Sequence, residues 1–233
     1  MKRIVVSSLI LLFVMCGYAS AGGPIGPTEP IAPKGTWSLG AGYFYEDSRY
    51  EADHENFRTK SNQIYGEASG TPVENVELYG RLGVATDLNS KGTEDIDFKV
   101  SSPTGFGALG AKWMFYKGDT FGFGTFAQGT YHFMEYEDCD TKIQDLYNIQ
   151  AGFTGQVKIY QNVALYGGAF WNYAHGKAVV TELGVRSSET LREDSWLGGV
   201  LGFRIPLTKQ FGLNLEGQYI NNFSGGAYLN FTF

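Results

Sequence analysis

From residue 37 to its last residue the chain repeats one pattern, in which every second position is apolar. In the first run Trp37, Leu39, Ala41, Tyr43 and Tyr45 fall on one side. In the last run Ala227, Leu229, Phe231 and Phe233 share one side, while Tyr228, Asn230 and Thr232 share the other. A period of two is that of an extended strand with one apolar face. Ten such runs are read, near 37–46, 60–69, 76–86, 105–115, 121–134, 146–159, 163–175, 195–205, 211–220 and 226–233. The second is the weakest, with only Ile64, Gly66 and Ala68 on its apolar side.

The connections alternate in length. Short ones fall near 71–72, 116–119, 160–162 and 206–210, and longer charged ones near 47–58, 87–103, 135–145 and 176–193; the last, near 221–224, is short again. That rhythm predicts an antiparallel meander. Its apolar face needs a partner, and the opposite face is polar and charged, so the greasy side has no protein core to join. Hydrocarbon is the remaining partner. An unpaired backbone group there costs several kcal/mol, a demand that a sheet meets only by closing on itself. The predicted fold is all-β: a closed antiparallel up-and-down transmembrane β-barrel over 36–233, with ten strands and with eight as the alternative count. A soluble lipocalin-like barrel would need the reverse polarity. Aromatic residues gather near strand ends, as interfacial girdles do. Gly40, Gly42, Gly80, Gly83, Gly198, Gly199 and Gly202 lie inside strands, where they are expected to relieve crowding on a curved inner wall.

The start of the chain names a compartment. Lys2 and Arg3 precede a mostly apolar run over 4–15, and Ala19-Ser20-Ala21 offers a small-x-small cleavage site. That apolar run is too short to span a membrane, for which about 20 residues are needed, so residues 1–21 are read as a signal peptide. Residues 22–35, with four prolines, are read as a flexible periplasmic lead-in. Starting the first strand in the periplasm puts every long connection outside. Removing the signal leaves 16 Lys+Arg against 24 Asp+Glu, a net charge near −8, which argues against nucleic acid as a partner. Cys16 leaves with the signal, and Cys139 stays alone in a loop, so no internal disulfide is expected.

Chemistry, where the strands carry any, faces inward. Glu67, Glu77, Arg81, Lys112, Arg204 and Glu216 are predicted to form a luminal charge network. A turn at Thr71-Pro72 would set Glu67 beside Glu77, with Lys112 at similar height, so that the lysine bridges the two carboxylates or one of them takes a proton. Arg81, Arg204 and Glu216 are expected to meet across a narrow lumen. These groups either satisfy one another in a filled interior or line a small selective pore. His132 and His175 near outer strand ends, with Glu135, Ser187 or Ser188 in conceivable reach, match no catalytic spacing, so no catalytic residue is assigned. The acidic loops lack cation-binding loop spacing; no metal and no cofactor are expected.

With these features in place, the chain resembles the small bacterial outer-membrane β-barrel family, the OmpA-like transmembrane barrel in the broad sense, over residues 36–233. The specific motif is the final strand: Leu229, Phe231 and Phe233 match the signature read by the barrel-assembly machinery, with Tyr228 where that signature commonly has glycine. The resemblance implies insertion by that machinery with the help of periplasmic chaperones, contact with outer-membrane lipid and lipopolysaccharide, and loops at the cell surface. It implies no single activity. The expected role is structural or surface-interacting, with a plugged or narrow lumen. The alternatives are a small porin-like diffusion channel for polar solutes and, third, a barrel hydrolase acting on lipid or protein.

Overall fold

The computed structural model describes residues 23–52, 55–91, 97–100, 103–133, 136–137, 141–160, 163–182, 185–193 and 195–233. The proposed signal segment with Ala19 and Ala21, and the loop residues His54, Glu135 and Cys139, lie outside them. Strands follow in the order β1 (Trp37–Ala52), β2 (Glu55–Val73), β3 (Val76–Lys91), β4 (Asp97–Val100), β5 (Thr104–Lys117), β6 (Phe121–His132) and β7 (Tyr136–Glu137). They continue with β8 (Thr141–Lys158), β9 (Ala164–Glu182), β10 (Val185–Glu193), β11 (Leu197–Pro206), β12 (Phe211–Tyr219) and β13 (Phe223–Thr232). Ten of them form the wall, in the circular order β1, β2, β3, β5, β6, β8, β9, β11, β12, β13, and the ring shuts where β13 pairs with β1 from Thr232–Ser38 to Gly225–Tyr45. Every pairing is antiparallel. The fold expected from the alternation, and its strand count of ten, are those observed.

The two faces of the wall divide as the period of two requires. Leu82, Leu109, Phe153 and Leu197 stand outside, Leu109 with 76% of its surface bare, while their neighbours Arg81, Lys112, Gln128, Gln150 and Glu216 are buried inside. That is the polarity of a barrel whose outer solvent is hydrocarbon and whose interior is protein. The interior also holds a layer that polarity alone does not predict. Phe44, Phe106, Phe126, Phe170, Val200 and Ile220 are buried within the lumen. Glycine on an adjoining strand makes room for these rings and for the inward tyrosines. A side chain at Gly42 would overlap the Tyr65 ring, one at Gly202 the Tyr166 ring, and one at Gly198 the Phe170 ring. The expected relief of inner crowding thus holds at those positions. Gly80 and Gly199 instead share the outward face with Leu78, Leu82, Leu197 and Leu201, so they give no such relief.

Two register details depart from expectation. β2 runs on through Thr71-Pro72, which form an irregularity between Gly70 and Val73, and the turn falls at Glu74-Asn75, where Asn75 adopts a left-handed φ of 64°. Proline lacks the ladder N–H and settles at a bulge. An asparagine tolerates the left-handed conformation of a tight turn. The second departure lies at the long-loop end, where segments read as loops carry the ladder onward. β4 pairs with β3, β7 with β8, and β10 with β9. Above the short β12–β13 hairpin, β10 joins β1 directly through Tyr50–Glu193 and Glu51–Arg192. The turn of that hairpin is tied to β1 at the fully buried Asp47, which accepts from Asn222 at 3.2 Å and from both Nε and Nη2 of Arg58 at 2.9 and 2.8 Å.

Candidate functional site: the luminal network and its plug

Residues 23–33 are not a flexible lead-in. They rise from the short-turn end into the lumen, and Ile25 and Thr28 are fully buried there. The correction has a physical basis in the partners that the wall offers. Glu216 on β12 accepts the backbone N–H groups of Ile25 at 2.7 Å and Gly26 at 2.6 Å. Glu77 on β3 accepts the Ile31 N–H at 2.5 Å. Gln128 and Gln218 donate to the Gly23 carbonyl at 3.2 and 2.9 Å, and Arg81 donates to the Pro24 carbonyl at 2.5 Å. An extended segment has no internal ladder, so its buried polar groups must be satisfied by side chains. Here the wall supplies them. Gly26 is required where it stands: its φ is +74°, and a Cβ there would crowd the Lys112 ammonium.

Lower down, toward the short turns, the segment meets cations. Arg204 on β11 donates to the carbonyls of Glu29, Pro30 and Ile31 at 3.2–3.4 Å. The Glu29 carboxylate lies 3.1 Å from Lys117 and 3.9 Å from Lys158, and accepts from Gln156 at 2.8 Å. Burial pushes the Glu29 carboxyl up, but the Gln156 amide, the Lys117 ammonium and the Arg204 guanidinium outweigh it and hold it below the ordinary 4.5. At the mouth Thr71 donates to the Ala32 carbonyl, and the Gly35 N–H returns to Thr71.

The predicted network residues come together in a different pairing. Glu67 stands opposite Arg81, not Glu77, because the β2–β3 turn falls at Glu74-Asn75 and slides the register by an even number of residues, which keeps every face. Arg81 Nε meets Glu67 at 2.5 Å, and its guanidinium lies over the rings of Tyr79 and Tyr65, 4.5 and 5.6 Å from their centroids. Lys112 pairs with Glu77 at 3.1 Å, directly across the β3–β5 ladder, and lies over Tyr79 as well. Each carboxylate therefore has its own cation, and no lysine bridges the two. Arg81, Arg204 and Glu216 do not pair with one another; each hydrogen-bonds a different stretch of the plug. Beside the inner part of the plug lies a cavity of about 20 Å³, lined by Pro24, Gly26, Ile31, Glu67, Arg81, Lys112 and Tyr166 among others.

Other candidate residues separate. His132 points inward beside Phe106, 5.8 Å between ring centroids, whereas His175 faces outward against Tyr147 at 5.4 Å. The two imidazoles lie on opposite faces of the wall. Leu229, Phe231 and Phe233 share the outward face of β13 near the short turns, with Phe231 packed on Phe211 and Phe233. Sequence reading missed the plug residues themselves. The available signal was Ile25 and Ile31, two apolar side chains in a segment otherwise fit for water.

No protein-family model matches the sequence, and no curated protein matches it. Among solved structures the chain is similar to the translocator domain of the autotransporter NalP from Neisseria meningitidis, at 12% identity over 86% of this chain and 90% of that one, with a TM-score of 0.46. It is similar to the outer membrane protein OprG from Pseudomonas aeruginosa, at 10% identity over 89% and 99%, with a TM-score of 0.43. It is also similar to Ail, the attachment invasion locus protein of Yersinia pestis, at 16% identity over 86% and 100%, with a TM-score of 0.40. No activity passes to this chain from proteins so distant.

Proposed function

We propose that this protein is a non-enzymatic integral barrel of the bacterial outer membrane, with a structural or surface-interacting role, whose lumen is sealed by its own N-terminal segment. The apolar outer wall and closed ladder support the placement, since such a wall in water would expose Leu109, Phe153 and Leu197 without cover. The observation that carries the sealed reading is the burial of the plug within the lumen, with Ile25 and Thr28 fully covered; the cavity beside its inner part, about 20 Å³, is room for roughly one water molecule. In this reading the long-loop end faces the cell surface, the short turns face the periplasm, and lipid, lipopolysaccharide and the barrel-assembly machinery are its partners.

The test has two parts. Purified full chain in a planar bilayer is expected to pass no current, and the outer-membrane fraction is expected to give a band whose gel migration shifts on heating. Steady single-channel steps from the intact chain would turn the reading to the diffusion channel, and an unshifted band in the soluble fraction would remove the barrel from the membrane. The channel alternative draws on one feature: beneath the plug the wall is lined by paired ions and amides, a surface suited to water. Proteolytic or lipid-hydrolysing activity that disappears in His132→Ala would favour the hydrolase.

A further inference from the structure

The wall needs nothing from the plug to close. Its ladder runs unbroken around all ten strands, and the plug takes no part in any strand pairing. Most of the groups that hold the inner part of the plug also keep partners on the wall. Arg81 has Glu67, Lys112 has Glu77, and Glu216 accepts from Tyr166 at 2.8 Å and Gln218 at 2.7 Å. The seat is thus preformed. Its occupant is also prepared: prolines at 24, 27, 30 and 33 restrict φ along the segment, so little freedom is lost when it docks. The fit is matched in sign. The carboxylates Glu216 and Glu77 take N–H groups of the segment, while Arg204 takes carbonyls and Lys117 meets the Glu29 carboxylate.

From this we infer that the lumen is a binding site for an extended Gly/Pro-rich peptide entering from the short-turn mouth, and that residues 23–33 are a separable occupant of it. The seat binds that segment whether or not it is joined to the wall. The inference deepens the sealed-barrel reading and rests on it, because a plug that can leave makes the seal reversible.

The experiment uses the exported chain with residues 23–33 deleted, its folding confirmed by the heat-dependent gel shift. In a planar bilayer it is expected to show conductance steps that the full chain lacks. A synthetic peptide of residues 22–35 is expected to close them from one side only, saturably, and a scrambled peptide of the same composition is not. Glu216→Gln in the deleted barrel is expected to raise the half-closing concentration about tenfold, since a hydrogen bond to a charged acceptor loses its charge. Should the deletion fail to assemble, a chain with a specific protease site inserted after Lys34, cut once folded and washed, carries the same test with a labelled peptide. Absence of saturable binding at millimolar peptide, or equal closure by the scrambled sequence, overturns the inference while leaving the barrel in the membrane. Failure of the membrane reading shows separately, as full chain in the soluble fraction.

Discussion

The wall and the plug of this barrel are held by different forces, and only one kind is written locally in the sequence. The wall is a backbone ladder with a repeating side-chain rule, outward apolar and inward polar. The plug has no ladder, and its one repeat, a proline at every third position from 24 to 33, sets its extension but not its partners. Its contacts reach from residue 25 to residue 216 and from residue 31 to residue 77, and they join backbone groups to distant side chains. A wall strand is specified by its own residues. The plug is specified by what the other strands leave in the middle. The two should therefore fail separately, except where one residue serves both.

Arg81 is such a residue, and it carries the largest expected effect. It pairs with Glu67 on the wall and donates to the Pro24 carbonyl in the plug. Arg81→Met should cost about 3–5 kcal/mol, the usual penalty for leaving a buried charge without its partner. Urea unfolding in lipid vesicles would measure it, and Glu67→Gln in the same chain should recover part of the loss. A cost under 1 kcal/mol would mean that the pair does not hold the wall. Arg204 makes the contrast. Its hydrogen bonds go to three plug carbonyls. Arg204→Met should loosen the plug and admit current while leaving wall unfolding nearly unchanged.

The outer face gives the next effect. Leu109→Arg, at a position bare to the surroundings, should cost about 2–4 kcal/mol if that side meets the bilayer midplane. The same change on a wetted barrel surface would cost little. Equal stability of the variant and the parent chain in vesicles would remove lipid from that face.

What could be read from the sequence follows the same division. The faces of all ten wall strands were legible because an apolar outer wall around a polar, protein-filled interior imposes strict alternation, and an even slip in register leaves that alternation intact. The same tolerance hid the slip: Glu67 beside Glu77 and Glu67 beside Arg81 fit one facial pattern equally well, and the placement of a proline bulge decided between them. The upper strands were illegible for the opposite reason. Val185–Glu193 pairs with β9, yet it has no apolar side to announce it. The inner aromatic layer was illegible because its condition is a glycine on another strand. Gly42 against Tyr65 is the clearest case. Gly42→Val should cost about 1–3 kcal/mol through overpacking, and pairing it with Tyr65→Ala in a double-mutant cycle should show strong coupling between the two sites.

The smallest effect belongs to the plug's foot and is a matter of pH. Glu29 is ionised in its seat by Gln156, Lys117 and Arg204 against the pull of burial, so its carboxyl in the folded chain lies below 4.5. A depressed carboxyl adds stability that is complete above its unfolded value and drains as pH falls through the folded one. The seal should thus hold at neutral pH and weaken only below about 4.5. Lys117 is half exposed, so solvent screens that contact and the pair is worth at most about 1 kcal/mol. Glu29→Gln should therefore leave the plug seated at neutral pH and flatten the acid dependence of bilayer current. If the variant and the parent open along the same pH curve, Glu29 is not the acid-sensitive hold on the plug.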